Sequence, residues 1–283
     1  MINECKFLDQ SKILPFPKVT PIQLPEVLVA VKRYTRFYDD GLDLLQLEKV
    51  FRDWYQPLID INYFPYMYFM NNGITQALEY CAIHFKNIDI KMLAGDYFWL
   101  KTNNCASEVL GPIPCEVSYD TNPSAIDGSV HQRSWPSSMH ILDGAYVGTS
   151  LDKILIPDNT ELLLLSFSKN LGLPDMRCGL LLSKNKIPTL HVFQKTFQYV
   201  GLHTFNSIAK ICNEIDIVTL ASNLKKYQLE FCKYFEDFTP SQCSLLATTQ
   251  NEKYKFYKRP NGIIRIPLGE SITRWIQTQN TVL

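Results

Sequence analysis

The chain has 283 residues, of which 46% are hydrophobic and 20% charged, an ordinary balance for a globular protein of one or two domains. Its 28 lysines and arginines equal its 28 aspartates and glutamates, so no net charge attracts nucleic acid or anionic lipid. The apolar runs are too short to span a bilayer, and the eight cysteines have neither zinc-site spacing nor a Cys-x-x-Cys pair. Together with an N-terminus that lacks a signal-peptide core, these properties predict a cytoplasmic protein with reduced thiols, no metal, no nucleic acid and no membrane partner.

The first elements along the chain are an arm, a helix and a strand. Residues 1–25 contain four prolines and are predicted to form an extended arm. Residues 41–56 have the apolar spacing of a helix. The side chains expected on its buried side are Leu42, Leu45, Val50 and Trp54. Residues 63–70 are aromatic and strand-like, and the run stops at Asn71-Asn72-Gly73 before a helix predicted over residues 75–85.

The middle of the chain repeats one pattern, in which a short apolar run ends at a polar or glycine-containing junction. Residues 91–94, 140–142, 162–165 and 178–182 are such runs. Asp143 and Ser166 directly follow the second and the third. Because helical stretches separate these runs, the pattern predicts an α/β fold with a largely parallel sheet covered by helices. Ligands bind such sheets at the carboxyl ends of the strands, where these polar residues lie.

The last third of the chain changes character. Residues 188–235 have a helical pattern, and residues 253–257 and 262–267 resemble two strands. We therefore predict a small α+β domain after the sheet. The expected organisation is an N-terminal arm that joins the small domain (1–40), a large domain (41–200) and the C-terminal part of the small domain (201–283).

Two short motifs carry chemistry. In Gly73-Ile74-Thr75, a glycine lets the backbone approach an anion at the start of a helix, and the threonine adds a hydroxyl donor. Asp143 and Tyr146 follow an apolar run, where the acid could pair with a ring nitrogen and the tyrosine could reach a ring hydroxyl. Taken alone, the first motif is equally typical of an ordinary helix start, and the second of an aspartate cap beside a packing tyrosine.

The most specific segment runs from Ser166 to Gly179, with the sequence SFSKNLGLPDMRCG. An apolar strand delivers Lys169 into a polar loop, and Arg177 follows eight residues later, just before another apolar strand. Lysine is the side chain that forms a Schiff base with an aldehyde cofactor, and arginine can hold a phosphate through two parallel hydrogen bonds. A surface lysine with a salt-bridged arginine is the plainer interpretation of this segment.

This segment resembles the cofactor-lysine motif of the aspartate-aminotransferase superfamily, the fold-type I enzymes that use pyridoxal 5'-phosphate. Ser-x-x-Lys-Asn-x-Gly-Leu and Arg-x-Gly occur at that family's spacing, and the Asp143 and Gly73 motifs lie upstream in the family's order. The resemblance reaches from about residue 38 to 269. It implies a large domain with a mostly parallel seven-stranded sheet flanked by helices, a reduced α+β small domain, and a homodimer with its active site near the subunit interface.

The resemblance also implies catalytic roles around the cofactor ring. Lys169 would form the internal aldimine and carry protons, Asp143 would pair with the pyridine nitrogen, and Tyr146 would bind the ring hydroxyl. Tyr97, in Gly95-Asp96-Tyr97-Phe98-Trp99, lies where the family has its ring-stacking aromatic, with Phe98 as the second candidate.

The phosphate and the substrate have their own expected partners. The resemblance implies that the phosphate is held by Gly73, Ile74, Thr75, Ser166 and Arg177, with Tyr38 reaching the neighbouring subunit's phosphate. Arg265 would bind the substrate α-carboxylate; without the resemblance it would be an ordinary strand-edge arginine. Asn122 is a candidate for the ring hydroxyl, although an alternative alignment puts Ala125 there.

The function expected from these roles is transamination of an amino acid or a related amine. An arginine–carboxylate clamp would hold the Cα–H bond perpendicular to the ring, next to the lysine that takes the proton. The same chemistry also leads to decarboxylation, elimination or cyclisation, as in a specialised biosynthetic enzyme. A non-catalytic relative that retains the cofactor pocket is the third hypothesis.

Overall fold

A computed structural model describes residues 19–34 and 41–280 of the chain. The helices are α1 (Pro25–Tyr34), α2 (Leu44–Tyr55), α3 (Gly73–His84), α4 (Trp99–Thr102), α5 (Phe167–Asn170), α6 (Pro188–His191), α7 (Leu202–Glu214), α8 (Ile217–Tyr234) and α9 (Gly269–Asn280). The strands are β1 (Tyr66–Met70), β2 (Ile90–Leu93), β3 (Ala106–Val109), β4 (Cys115–Thr121), β5 (Ser137–Gly144), β6 (Thr160–Ser166), β7 (Gly179–Ser183), β8 (Thr239–Pro240), β9 (Leu246–Thr249) and β10 (Ile264–Pro267).

The large sheet has seven strands in the order β1-β7-β6-β5-β4-β2-β3. Strands β6, β5, β4, β2 and β3 pair in parallel, whereas β7 runs antiparallel to both of its neighbours. β1 therefore runs in the same direction as β6. This arrangement confirms the predicted seven-stranded, mostly parallel sheet flanked by helices, and the carboxyl ends of six strands meet at one edge.

Both faces of this sheet are buried, as continuous apolar strands require. In β6, Leu163 and Leu165 belong to one hydrophobic cluster, and Leu162 and Leu164 belong to the other. The first cluster includes residues of α2 and α7, and the second includes residues of α3. The sheet is thus the middle layer of three, and its polar strand ends lie at the edge of the layers.

Helix α2 begins at a capping box, in which the Asp43 side chain accepts from the Gln46 amide and the Gln46 side chain accepts from the Asp43 amide. Its buried side consists of Leu44, Leu47, Phe51, Trp54 and Tyr55. The prediction that Leu45 is buried was wrong: its side chain is 74% exposed. The spacing of three and four residues that starts at Leu44 leaves Leu45 on the solvent side.

A second, antiparallel sheet has the order β10-β9-β8. Helices α8 and α9 contact each other, and α8 also contacts β8, which agrees with the predicted α+β unit. The strand predicted over residues 253–257 was wrong, because Glu252–Tyr257 forms a 3-10 helix. The Asn251 side chain caps that helix through the Lys253 amide, and the buried Tyr254 and Tyr257 recur at a helical spacing of three. The two boundaries predicted between the three segments, after residues 40 and 200, stay a prediction.

None of the helices in the described ranges is long and apolar enough to cross a membrane.

Candidate active site

The candidate residues lie where the strands of the large sheet end. Met70 of β1 and Ser166 of β6 both pair with Gly179, the first residue of β7. Asp143 of β5 pairs with Thr121, the last residue of β4. This register brings the junctions after β1, β4, β5 and β6 and before β7 to one edge. The sequence predicted this edge as the site.

The junction between β1 and α3 is built on two glycines. Gly73 has φ +62, a left-handed conformation that favours glycine, and its amide donates to the Arg177 carbonyl at 2.8 Å. A Cβ on Gly179 would lie 2.9 Å from both the Gly73 carbonyl carbon and the Ile74 nitrogen. The Arg-x-Gly motif therefore has a steric reason, since only glycine at 179 lets β7 pass this close to the start of α3.

Arg177 lies across the N-terminus of α3. Its Nη2 donates to the Asn72 carbonyl at 2.9 Å and to Thr75 Oγ1 at 3.3 Å, and its Nε donates to Asn72 Oδ1 at 3.2 Å. The Asn72 side chain, at the N-cap position of α3, makes no capping hydrogen bond to the first-turn amides, and the Gln76 side chain accepts from the Asn72 main-chain amide at 3.2 Å. A hydroxyl that accepts a bond from arginine can still donate its own hydrogen, so guanidinium, hydroxyl and first-turn amides form one cluster of donors. Such a cluster suits a phosphate.

The lysine turn is rigidly supported. Ser166 caps α5 by accepting from the Ser168 amide, and the Tyr55 hydroxyl donates to the Ser166 carbonyl at 3.2 Å. The side-chain nitrogen of Asn170, Nδ2, donates to the Val147 carbonyl at 3.0 Å and to the Tyr55 hydroxyl at 3.2 Å. The Lys169 side chain is half-buried, and its Nζ donates to a main-chain carbonyl of the N-terminal segment, that of Val19.

Asp143 is the buried acid of the site. Its Oδ2 accepts from the Tyr119 hydroxyl at 2.7 Å, and its Oδ1 accepts from the Ala145 amide at 2.8 Å. Burial raises the pKa of Asp143 to about 6, although both hydrogen bonds favour the carboxylate. A carboxyl group in this state gains from a cationic partner, such as a protonated ring nitrogen.

Tyr97 is near both the buried acid and the anion-binding arginine. Burial raises the pKa of its hydroxyl; the negative charge of Asp143 acts in the same direction and the positive charge of Arg177 acts against it. Both groups are therefore close to the Tyr97 side chain, which is half-buried. Phe98, the second candidate for stacking, is 61% exposed, so the structure favours Tyr97.

Tyr146 and Arg265 are two further predicted site residues, and they are close enough for the charge of Arg265 to act on the Tyr146 hydroxyl. Both are buried, and burial raises the pKa of Tyr146, while the nearby charge of Arg265 acts in the opposite direction. Arg265 donates from a terminal guanidinium nitrogen to the Ala125 carbonyl. Burial also raises the pKa of the Cys243 thiol, against which the charges of Arg265 and Lys169 act. Arg265 and Lys169 are therefore both near enough to the Cys243 thiol for their charges to act on its pKa.

Asn122 follows β4, and its main-chain N–H donates to the Asp143 main-chain carbonyl at 3.0 Å. Its side chain bonds the main chain of His131: Nδ2 donates to the carbonyl at 2.8 Å and Oδ1 accepts from the amide at 3.3 Å. The peptide bond between Asn122 and Pro123 is cis. A contact of Asn122 with the ring hydroxyl stays a prediction. Tyr38 lies outside the described residues.

Several supporting residues were not predicted. Asn72, Tyr55 and Tyr119 bond the predicted residues, but they lie in apolar or turn segments that gave no chemical pattern. Asp96 is buried beside Tyr97, and burial raises its pKa to about 7. Its place in Gly95-Asp96-Tyr97, directly after a strand, was the one available signal.

The residues present fit pyridoxal 5'-phosphate. The site contains hydrogen-bond donors suited to a dianion at the start of α3, a buried acid suited to a pyridinium, and a tyrosine on whose pKa both Arg177 and Asp143 act. Lys169 belongs to the same strand-end edge. Gly73 keeps the start of α3 open, because a Cβ there would contact the Arg177 guanidinium at 3.5 Å.

Comparison with known proteins identifies the fold. No protein-family model matches the chain, and no curated protein matches it in sequence. Solved structures do match. Histidinol-phosphate aminotransferase from Sinorhizobium meliloti in complex with pyridoxal-5'-phosphate has a TM-score of 0.59 at 16% identity, covering 91% of this chain and 90% of that one.

Two further structures are similarly close. Tyrosine aminotransferase from Leishmania infantum has a TM-score of 0.60 at 13% identity, with 95% of each chain covered. L-threonine-O-3-phosphate decarboxylase from Porphyromonas gingivalis has a TM-score of 0.59 at 14% identity, covering 94% of this chain and 98% of that one. These likenesses confirm the predicted α/β fold, with its large seven-stranded sheet flanked by helices, which the chain shares with these solved structures.

Proposed function

We propose that this protein is a pyridoxal-phosphate-dependent aminotransferase that acts on an amino acid or a related amine. The observation that carries the proposal is the meeting of Lys169, Asp143 and the Arg177 donor cluster at one edge of the sheet. An aldehyde-bearing pyridine phosphate needs a lysine, an acid for its ring nitrogen and a set of anion donors, and this edge contains all three.

The chain's own residues divide the work of binding. Arg177, Thr75 and the first-turn amides of α3 bind the phosphate, with Ser166 beside them. Tyr97 packs against the ring, and Tyr146 donates to the ring oxygen. Asp143, once ionised, holds a proton on the ring nitrogen. A cofactor held in this way supplies an electron sink for the substrate's Cα.

The reacting bond is selected by Arg265, which acts as a cation, and by Lys169, whose amine has to be neutral to accept a proton. Arg265 binds the substrate α-carboxylate and so orients the Cα–H bond. Lys169, through Nζ, takes the Cα proton and returns it elsewhere, which requires Nζ to leave the Val19 carbonyl. Holding the carboxylate in a clamp favours loss of the proton over loss of the carboxylate, and this favours transamination.

The structural neighbours support this choice and supply its alternative. Several are aminotransferases by name, while one is a decarboxylase, so decarboxylation on the same fold is the second candidate. A lyase or cyclase reaction and a non-catalytic role are the remaining alternatives.

The described residues contain no group of three or more histidine, cysteine or acidic side chains suited to a metal.

A homodimer belongs to the proposal. Phe193, Phe197 and Tyr199 form a stacked aromatic group whose members are each about half exposed, and Gly201 just beyond donates its amide to Asn71 Oδ1. This apolar surface therefore adjoins the anion-binding end of the site, and a second subunit there would cover it.

We also propose a cytoplasmic location, in keeping with the seven unpaired cysteines of the described residues.

The proposal is tested by incubating the cofactor-loaded protein with a panel of L-amino acids and amines and following the cofactor spectrum. Conversion to pyridoxamine phosphate with release of the oxo acid supports transamination. Release of carbon dioxide or ammonia instead supports the decarboxylase or lyase alternative. A loaded protein that responds to no amine contradicts both enzymatic proposals and supports the binding role.

A further inference from the structure

Asp96 is a buried carboxylate beside the site that none of the proposed roles uses. It follows β2, is 4% exposed, and receives three hydrogen bonds. Its Oδ1 accepts from the Tyr97 amide at 2.7 Å and from Thr121 Oγ1 at 2.6 Å, and its Oδ2 accepts from the Thr121 amide at 3.1 Å. The carboxylate therefore ties the main chain at Tyr97 to the end of β4.

The connection continues from Thr121 into the next loop. Thr121 Oγ1, which donates to Asp96, accepts from the Ala125 amide at 2.6 Å. The carbonyl of Ala125 in turn accepts from the Arg265 guanidinium. One hydroxyl thus joins the large sheet to the residue that receives the arginine of β10.

We refer to Tyr97, Asp96, Thr121, Ala125 and Arg265 as the Asp96 chain. Its five members are buried or half-buried, and each is joined to the next by a hydrogen bond. A connected network of this kind fixes the relative positions of its members. Its two ends are the proposed ring-stacking tyrosine and the proposed carboxylate-binding arginine.

Electrostatics supports the connection. Burial lowers the pKa of Arg265, and the negative charge of Asp96 is among the groups that act against this effect. Asp96 is therefore near enough to favour the charged guanidinium. The negative charge of Asp120, whose carboxylate accepts from Arg133 and Trp135, acts together with burial to raise the pKa of Asp96.

We propose that Asp96 is a positioning residue that couples Tyr97 to Arg265 through Thr121 and Ala125, and so sets the preference of the enzyme for substrates with an α-carboxylate. This proposal rests on the proposed function. Asp96 touches neither substrate nor cofactor; it acts by holding the arginine in register with the ring.

The Asp96→Asn variant tests the coupling, because an amide group cannot accept all three bonds. Wherever the amide nitrogen of Asn lies, it faces a main-chain N–H that previously had an acceptor. Thr121→Val removes the link to Ala125 at nearly constant shape, and Thr121→Ser retains it. Ser183→Ala and Thr160→Val are the controls: Ser183 is equally buried and its hydroxyl donates to the Asn185 carbonyl, and the Thr160 hydroxyl is buried without a hydrogen-bond partner in the described part of the chain.

The first measurement is hydrogen exchange of the Ala125 amide in the cofactor-free, full-length protein, so it does not depend on the proposed function. Asp96→Asn and Thr121→Val should each speed exchange by about tenfold or more, a change equivalent to losing about one hydrogen bond. Thr121→Ser and both controls should stay within about twofold of wild type. Unchanged exchange in Asp96→Asn overturns the chain whatever the enzyme does.

The second measurement is the ratio of kcat/KM for the fastest amino acid of the panel to that for the amine formed by removing its carboxylate. Asp96→Asn and Thr121→Val should lower this ratio about tenfold, mainly through a higher KM for the amino acid, because the arginine contributes to binding. Thr121→Ser should retain the ratio. The positioning role is overturned if the ratio falls equally in the two controls. It is also overturned if the melting temperatures of Asp96→Asn and Thr121→Val fall while their ratio stays unchanged. A wild type that reacts with no amino acid sinks the proposed function, while the exchange measurement still judges the chain.

Discussion

Removal of the Tyr119 hydroxyl should make the stability of the cofactor-free protein more sensitive to pH. This hydroxyl donates to Asp143 Oδ2 at 2.7 Å, and the bond favours the carboxylate of an acid whose pKa burial raises to about 6. A hydrogen bond to a charged group contributes about 1.5–3 kcal/mol, which corresponds to about 1–2 pKa units. In Tyr119→Phe, the pKa of Asp143 should therefore rise to about 7–8.

The sign of the effect follows from proton binding. Asp143 has a higher pKa in the folded state than the value of about 3.9 expected for the unfolded chain, so between these values the folded state binds more protons. Its contribution to stability is therefore present at low pH and lost as pH rises through the folded pKa. Tyr119→Phe extends that loss upward. The destabilisation of the variant relative to wild type should grow by about 1.5–2.5 kcal/mol between pH 5 and pH 8.

The assay is urea unfolding of cofactor-free wild type and variant at pH 5, 6, 7 and 8. Asp96, whose pKa burial also raises, contributes in both proteins and cancels in the difference. Tyr68→Phe is the matched control, because Tyr68 is also fully buried but its hydroxyl accepts from the Ile187 amide. Its cost should not vary over this pH range. A Tyr119→Phe cost that stays constant, or that shrinks as pH rises, refutes the assignment of the bond to an ionising Asp143.

Two other variants test the anion-binding end. Arg177→Lys loses the forked guanidinium and should weaken binding of pyridoxal 5'-phosphate at least about tenfold in a fluorescence titration. Arg133→Lys is the control, because the Arg133 guanidinium donates to Asp120, and it should leave binding unchanged. Equal weakening in both variants would contradict the role of Arg177. Gly179→Ala puts a Cβ 2.9 Å from the Gly73 carbonyl carbon and should lower the free energy of unfolding by about 1–3 kcal/mol. Gly111→Ala is the control, because nothing lies within 4 Å of its Cβ, and it should leave the free energy of unfolding unchanged. If urea unfolding shows that Gly179→Ala is neutral, the close approach of β7 to α3 does not require glycine.

The sequence predicted the sheet well, and it could propose one edge of the sheet as the site, because both depend on patterns along the chain. Each apolar run that ends in a polar residue is a buried strand, and the parallel order brings the ends of such strands together. Asp143 and Lys169 could therefore be assigned from sequence. The exact start of a strand is set by contacts across the fold, and so β1 begins at Tyr66, three residues later than predicted.

Other features could not be predicted because they depend on which side of an element faces the core. Leu45 is one position away from the buried stripe of α2, and the apolar spacing alone fitted both choices. Residues 253–257 alternate like a strand, but the Asn251 cap and two buried tyrosines stabilise a 3-10 helix. The partners of the site residues are also long-range: Tyr119 and Asp143 are 24 residues apart, and Lys169 and Val19 are 150 apart.

The central claim is that Lys169 binds the aldehyde of pyridoxal 5'-phosphate. The most direct test is to load the wild-type protein with the cofactor, reduce it with borohydride and locate the labelled lysine by peptide mass spectrometry. We expect the label on Lys169 and its loss in Lys169→Ala. Lys195 is the informative competitor, because burial lowers its pKa to about 8 and so favours its reactive, neutral amine at mildly alkaline pH. A label on Lys195, or no label on any lysine, would contradict the account.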